Sequence, residues 1–409
     1  MLQAWLKKIG FVPNVYFWQM LLGVINLLCI VVLENNLPRS EFSRISLILG
    51  FYPTYFLLVE MGIQGELVRR FSKFSIDSQW NSAFRLRLFG GGLGVLAVVF
   101  NTYIGGGNIS TVIAAGLFSL SFLPAAGLIT IEALGYAKRS LVDAIMHRAG
   151  RVVSILLVTF LLLSWKNFSF EQSWGIYLLG FYFPILMIIY IWVKRYTLPF
   201  KDKSNLRHSN VRQLFEETHN LLLARGLAWL YTVGFLTFNM KLHTDTGMSE
   251  YNVAYNLIAP VSMLVQVLSQ NRISVMAHGR KEEGNTALRY LFVLFGLFSY
   301  FTLFSFQGVV DLFFSKINSA KLAAFLWPFG LAAMLFAVSS VLQVEAQARG
   351  RRNLIYFTPL ASLVVLIFSF GLFPKFIPIM YSGWINLVAA CASLLVLVIG
   401  LLNSRKTIP

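Results

Sequence analysis

Residues 382–402 read SGWINLVAACASLLVLVIGLL, without one charged side chain. Wound as an α-helix, a run of this length spans about 30 Å, the thickness of a bilayer's hydrocarbon core. The run is typical of the chain. Of 409 residues, 57% are apolar and only 12% charged, against about 25% charged in ordinary soluble domains. Mean hydropathy is +0.69. A soluble core of this size needs a charged surface that this sequence cannot supply. A soluble enzyme, a disordered chain and a fibre are therefore excluded. The apolar runs are continuous over about 20 residues, where barrel strands would alternate over roughly 10. The expectation is an all-α polytopic membrane protein.

Twelve spans are expected, at 11–33, 42–67, 84–104, 110–135, 144–164, 174–193, 221–239, 251–276, 287–313, 322–345, 354–373 and 382–402. The fifth is the weakest, because His147, Arg148 and Arg151 crowd its start. Lys and Arg number 34 against 17 Asp and Glu, a net charge of +17. In a membrane protein such an excess gathers in cytoplasmic connections, so it does not point to nucleic acid. Assigned to alternate connections, 25 basic residues fall on the side of the two termini. Six (Arg39, Lys166, Lys241, Lys316, Lys321 and Lys375) fall on the other, and Arg44, Arg225 and Arg272 lie within spans. The larger set includes Arg87 and Arg148 near the starts of spans three and five. This split places both termini in the cytoplasm. Lys7 and Lys8 precede an apolar stretch without a small-residue cleavage site, so no cleavable signal peptide is expected. Cys29 and Cys391 sit inside apolar runs and five histidines are scattered, which suggests neither a disulfide framework nor a metal site.

The two halves of the chain resemble each other. Ser40-Glu41-Phe42 opens span two and Ser249-Glu250-Tyr251 opens span eight. Glu132-Ala133 ends span four, with Lys138-Arg139 six residues on; Glu345-Ala346 ends span ten, with Arg351-Arg352 at the same spacing. Two matches at nearly equal offset and equivalent topology indicate a duplication. Six spans per half is an even number, so the repeat is parallel, with its pseudo-two-fold axis along the membrane normal. The expected organisation is an N-terminal six-helix lobe over 1–193, a basic cytoplasmic linker over 194–220 and a C-terminal six-helix lobe over 221–409.

The end of span two, Met61 to Ser72, reads MGIQGELVRRFS and lacks the Asp-Arg pair of the major facilitators. It resembles the end of the second helix in the multidrug/oligosaccharidyl-lipid/polysaccharide (MOP) exporter superfamily, where a Gly-hydrophobic pair precedes Leu-Val-Arg and a Ser. The start of span eight, SEYNVAY over 249–255, is similar to the same superfamily, as is the Glu-Ala-x-Gly/Ala pattern of Glu132–Gly135 and Glu345–Ala348. Within it the chain looks most like the Wzx-type O-antigen flippases. The multidrug-exporter (MATE) branch and the longer MurJ-type flippases fit less well. The resemblance implies a MATE-like fold and a substrate with a polyprenyl tail, a pyrophosphate and an oligosaccharide. That substrate, an undecaprenyl-pyrophosphate-linked O-antigen unit, would pass from the cytoplasmic to the periplasmic leaflet of a bacterial inner membrane. It implies no cofactor beyond a coupling proton or sodium ion, and as partners the lipid bilayer, an O-antigen polymerase and a chain-length regulator. Two other readings stay open: a cation-coupled drug exporter, and a membrane glycan polymerase or ligase. The last lacks the large outer loop that such chemistry needs.

No catalytic residue is expected: the chain has no phosphate loop, no nucleophile elbow and no paired His ligands. The physical problem is the headgroup, because each polar group stripped of water costs several kcal/mol. A wet, cationic cavity would solve it. Arginine grips phosphate oxygens in pairs, and charge within a span usually marks function. Arg225 sits near the cytoplasmic end of span seven, with Trp229, Thr232 and Asn239 within about 40° of it on the helix. Arg272 sits near the cytoplasmic end of span eight, with Ser269, Ser262 and Tyr255 on a broader arc. Both could equally snorkel to the headgroups. Arg44, one turn inside span two on the opposite side, has Glu41 or a surface lipid as its alternative partner.

Among acids, Glu60 is deepest and shares a helix face with Pro53, Ser46 and Gln64. It is a candidate to carry the coupling ion, and equally a partner for an arginine of the same half. Asp311, near the outer end of span nine, is a second ion candidate or an interfacial residue. Glu132 and Glu345 are expected to pair with the basic segments that follow them, and Glu66 with Arg69 and Arg70 one turn on. Gly90, Gly91, Gly92 and Gly94 read as close helix packing.

Overall fold

The structure is a computed structural model. It describes residues 11–38, 63–73, 76–104, 109–138, 140–164, 218–224, 226–231, 307–348, 352–372 and 382–403, with positions 41, 42, 45, 55, 58–60, 172, 175, 178, 182, 186, 250, 253, 254, 257, 258, 296 and 302. The described chain is almost entirely helical. Its continuous helices are α1 (Phe11–Asn36), α2 (Gln64–Lys73), α3 (Ile76–Ile104), α4 (Ile109–Ser119), α5 (Phe122–Lys138), α6 (Leu141–Ser164), α7 (Gln307–Phe313), α8 (Ser319–Ala348), α9 (Arg352–Leu372) and α10 (Ser382–Asn403). Among the described residues, six runs are long and apolar enough to cross a membrane: Asn14–Asn36, Ser82–Ile104, Ile109–Lys138, Leu141–Ser164, Ser319–Gln343 and Gly383–Leu402. They coincide with the first, third, fourth, fifth, tenth and twelfth expected spans. The eleventh appears as the shorter apolar helix Leu354–Ser369. The remaining expected spans fall largely outside the described residues.

By compactness the chain divides into unit 1 (Met1–Val32, Tyr55–Leu222, Gln270–Gly279) and unit 2 (Leu33–Thr54, Leu223–Ser269, Arg280–Pro409). In unit 1, α5 is the hub and packs on α2, α3 and α6. Its start is set by Pro124. Proline brings no N–H, so the Leu120 carbonyl cannot take the usual bond from residue 124. It accepts instead from Leu123 N at 3.1 Å, and Ser121 N turns to Phe118 O. The result is a break at 120–121 that divides the fourth span into α4 and α5. One face of α3 carries Phe89, Leu93, Leu96, Phe100 and Tyr103, all exposed and spaced four and three residues apart. In water that stripe would be costly; in a bilayer it is the lipid-facing side.

The glycines of α3 divide by role. Gly94 faces the Phe122 ring, which a Cβ would approach to 3.0 Å, and Gly91 lies against Phe122 and Leu123, whereas Gly92 meets nothing. The tightest approach is elsewhere. A Cβ on Gly135 of α5 would stand 2.7 Å from the Ala144 Cα of α6. The two helices are tied there by Ser140 N donating to Gly135 O and Ala144 N to Ser140 O. Backbone cannot give way as a side chain can, so Gly135→Ala should destabilise unit 1 by about 1–3 kcal/mol. Thermal unfolding in detergent checks this, and an unchanged midpoint would show that α6 moves aside freely.

In unit 2, α10 packs on both α8 and α9. The α9–α10 seam is closed by small polar groups. Ser393 Oγ donates to Thr358 O at 2.9 Å, Ser362 Oγ donates to Ala389 O at 3.2 Å, and the two hydroxyls touch each other. Such short side chains let membrane helices approach closely while satisfying every hydroxyl.

Candidate functional site

The polar chemistry of unit 1 is concentrated where α1, α2, α3, α5 and α6 come together. Arg87 of α3 is fully buried, at 0% exposure. Its Nη1 donates to Thr130 Oγ1 of α5 at 3.0 Å, and its Nη2 donates to Gln64 Oε1 at the start of α2. Thr130 can serve because its own proton goes to Ala126 O, leaving the oxygen free to accept. The carboxylates of Glu60 and Glu132 both attract the Arg87 charge.

A second buried arginine completes the group. Arg148 of α6 donates from Nη2 to Glu132 Oε1 at 2.5 Å, from Nε to Gln19 Oε1 of α1 at 2.5 Å, and from Nη1 to Ala144 O at 2.9 Å. Its guanidinium also lies 5.8 Å from the Tyr136 ring centre. Glu132 is thus paired with a basic residue of the segment that follows it, as its sequence position suggests. Glu345 lies in α8, but its side chain is outside the described residues. Glu66 holds Arg69 and Arg70 through its carboxylate, at 2.6 and 3.0 Å, one helical turn away.

Two arginines and two glutamates balance one another, so the cluster is electrically neutral. Charged groups this deep persist only when paired and hydrogen-bonded. With Arg148 bonded through all three nitrogens and Arg87 sealed from solvent, the cluster does not offer an open grip for an anion. It can hold five helices together. Arg87 and Arg148 count as cytoplasmic loop charges by sequence. Their positions three and four residues inside the expected spans are the signal that marks them as buried.

The sequence-predicted residues fare differently. Glu60 is 4% exposed and belongs to this cluster. Asp311 lies on α7 in unit 2 and is exposed, and Trp229 is half-buried. Arg44, Arg225, Arg272, Thr232 and Asn239 lie outside the described residues. Among the described residues, no three His, Cys, Asp or Glu side chains gather as metal ligands.

No protein-family model matches the sequence, and no curated protein matches it. Solved structures do. An inward-facing multidrug-resistance MATE transporter of the MOP superfamily is 12% identical, over 95% of this chain and 96% of its own, with a TM-score of 0.62. An outward-facing transporter of the same kind is 14% identical, over 97% and 96%, with a TM-score of 0.61. A MOP superfamily transporter from Pyrococcus furiosus, described as having a binding pocket of reversed polarity, is 14% identical over 97% and 95%, with a TM-score of 0.63. Likeness over nearly the full length of each chain establishes that this protein has the fold of the MATE-type transporters of the MOP superfamily.

Proposed function

We propose that this chain is a flippase. It moves an undecaprenyl-pyrophosphate-linked O-antigen unit across a bacterial inner membrane, from the cytoplasmic to the periplasmic leaflet, with both termini in the cytoplasm. Two six-helix lobes, 1–193 and 221–409 joined by the linker 194–220, alternate access to a central cavity. What supports the reading is a MATE-type fold together with a sequence that places three arginines within expected spans. Arg44, Arg225 and Arg272 lie within expected spans, while two buried acids, Glu60 and Glu132, both sit beside buried arginines. A cavity of that balance suits an anionic pyrophosphate and repels a cation. In this reading Arg225 and Arg272 grip the pyrophosphate at the cytoplasmic mouth, and Trp229, Thr232 and Asn239 line the path of the sugar. A proton or sodium ion drives the cycle through Glu60, with Asp311 as a second acid exposed for exchange. An O-antigen polymerase and a chain-length regulator act on the delivered unit.

The second reading is a cation-coupled drug exporter, favoured by the multidrug MATE transporters among the structural neighbours. Cells decide between them. Expressed in a strain lacking its O-antigen flippase, the chain should restore surface O-antigen and leave ethidium accumulation unchanged. Lowered ethidium accumulation without restored O-antigen would favour the exporter.

Coupling has its own test. Glu60→Gln keeps the side chain's shape but cannot release a proton, so gradient-driven transport should slow while substrate binding persists. Full transport with an unaltered pH profile would remove Glu60 from the coupling step.

A further inference from the structure

The last turn of α1 is bonded to a segment nearly 280 residues later. Glu34 is buried, at 1% exposure. Its two oxygens accept from two successive backbone amides, Lys316 N at 2.7 Å and Ser315 N at 3.2 Å. Asn35 works in parallel: its Oδ1 accepts from Ser315 Oγ at 2.7 Å, and its Nδ2 donates to Phe313 O at 3.1 Å. Lys316 returns the contact by donating from Nζ to Leu37 O at 2.6 Å and Asn35 O at 3.1 Å. That places an ammonium on the carbonyls that a helix C-terminus leaves without partners. The far end of the same segment is held as well. Asn318 N points to Glu250 Oε1 at 3.4 Å, and Asn318 Oδ1 accepts from Lys321 N to cap α8. All of these groups fall within unit 2, which takes in the outer end of the first helix from Leu33 onward.

Both halves of this clasp lie in connections that the basic-residue split assigns to the non-cytoplasmic face. Residues 34–37 close the first span of the first six-helix half, and 313–318 join spans nine and ten of the second. In an alternating-access cycle those halves must part at the outer face to discharge the substrate.

We propose that the Glu34/Asn35–Ser315/Lys316 clasp is the outer latch of the transport cycle, closed while the substrate loads from the cytoplasm and broken once per turnover for release. The latch rests on the transporter reading. Its outer bonds suit reversible use: those of Asn35 to Phe313 O and Ser315 Oγ, and of Lys316 Nζ to Asn35 O, are exposed, so water replaces each lost partner at little cost.

The test places Asn35→Cys with Ser315→Cys in a chain lacking Cys29 and Cys391, and follows transport of a lipid-linked oligosaccharide in vesicles. Bridging the pair should reduce transport at least tenfold, and a reductant should restore it. Equal transport in bridged and unbridged protein would show a permanent fastener and overturn the latch. If neither the unbridged pair nor the native chain moves any substrate, the transporter reading itself fails and the latch falls with it. Should the cysteine pair not fold, Glu34→Gln serves instead, because it keeps one acceptor oxygen and replaces the other with a donor. Hydrogen exchange at the Ser315 and Lys316 amides should then quicken about tenfold in otherwise folded protein, and unchanged exchange would overturn the latch.

Discussion

Arg148→Ala is expected to cost unit 1 about 3–5 kcal/mol, the range for breaking a buried ion pair from one side. That is a large share of the total stability of an ordinary domain, about 5–15 kcal/mol. The reason is what remains behind. Removing the guanidinium strips Glu132 of its partner at 2.5 Å and leaves Gln19 Oε1 and Ala144 O without the donors they face. The carboxylate stays buried in α5 with Arg87 as its remaining cation. Much of the loss is therefore the cost of the stranded charge. Adding Glu132→Gln to Arg148→Ala should recover part of the stability, because a neutral amide tolerates burial better than a carboxylate. Thermal unfolding of the four-member cycle in detergent gives the coupling. Additive effects of the two substitutions would mean that the pair does not act as a unit.

The largest effect on function is expected at Arg225 and Arg272. If they grip pyrophosphate, charge alone will not suffice, because lysine keeps the charge but loses the planar two-pronged fork. Arg→Ala should weaken binding of a lipid pyrophosphate by about 1.5–3 kcal/mol per lost charge-assisted contact, roughly 10- to 150-fold. Arg→Lys should fall between Ala and native. If the arginines only reach the cytoplasmic headgroups, lysine will substitute freely, since it snorkels equally well. Surface O-antigen at matched protein levels, followed by binding to purified protein, separates the cases. Normal display and binding in both Ala variants would remove these two positions from the site.

What was legible in the sequence follows the range of the forces involved. Membrane helices such as 14–36 and 383–402 need only a long apolar run, and that is a local property. The Glu66–Arg69–Arg70 cluster was readable because its partners lie one turn apart. Pro124 sits in plain view inside the fourth span, yet breaking it into α4 and α5 takes the freed Leu120 carbonyl finding Leu123, which apolar periodicity does not register. Arg87 and Arg148 were harder still. Each stands near a span start, where a charge ordinarily reaches water, and only partners on other helices, Gln64, Thr130, Glu132 and Gln19, make burial tolerable. The bonds of Glu34 and Asn35 to residues 313–316 have no sequence signature, because nothing local specifies a partner some 280 residues away.

The central claim is that a MATE-type fold here carries an anionic lipid-linked oligosaccharide. Its most direct test is transport by the purified chain in vesicles. A fluorescent headgroup on undecaprenyl-pyrophosphate oligosaccharide is followed by quenching with a membrane-impermeant reductant. The account predicts that the protein and an imposed ion gradient move the headgroup between leaflets faster than in protein-free vesicles, while a cationic dye stays where it is. Dye movement under the same gradient, with the lipid-linked sugar held in its original leaflet, would contradict it.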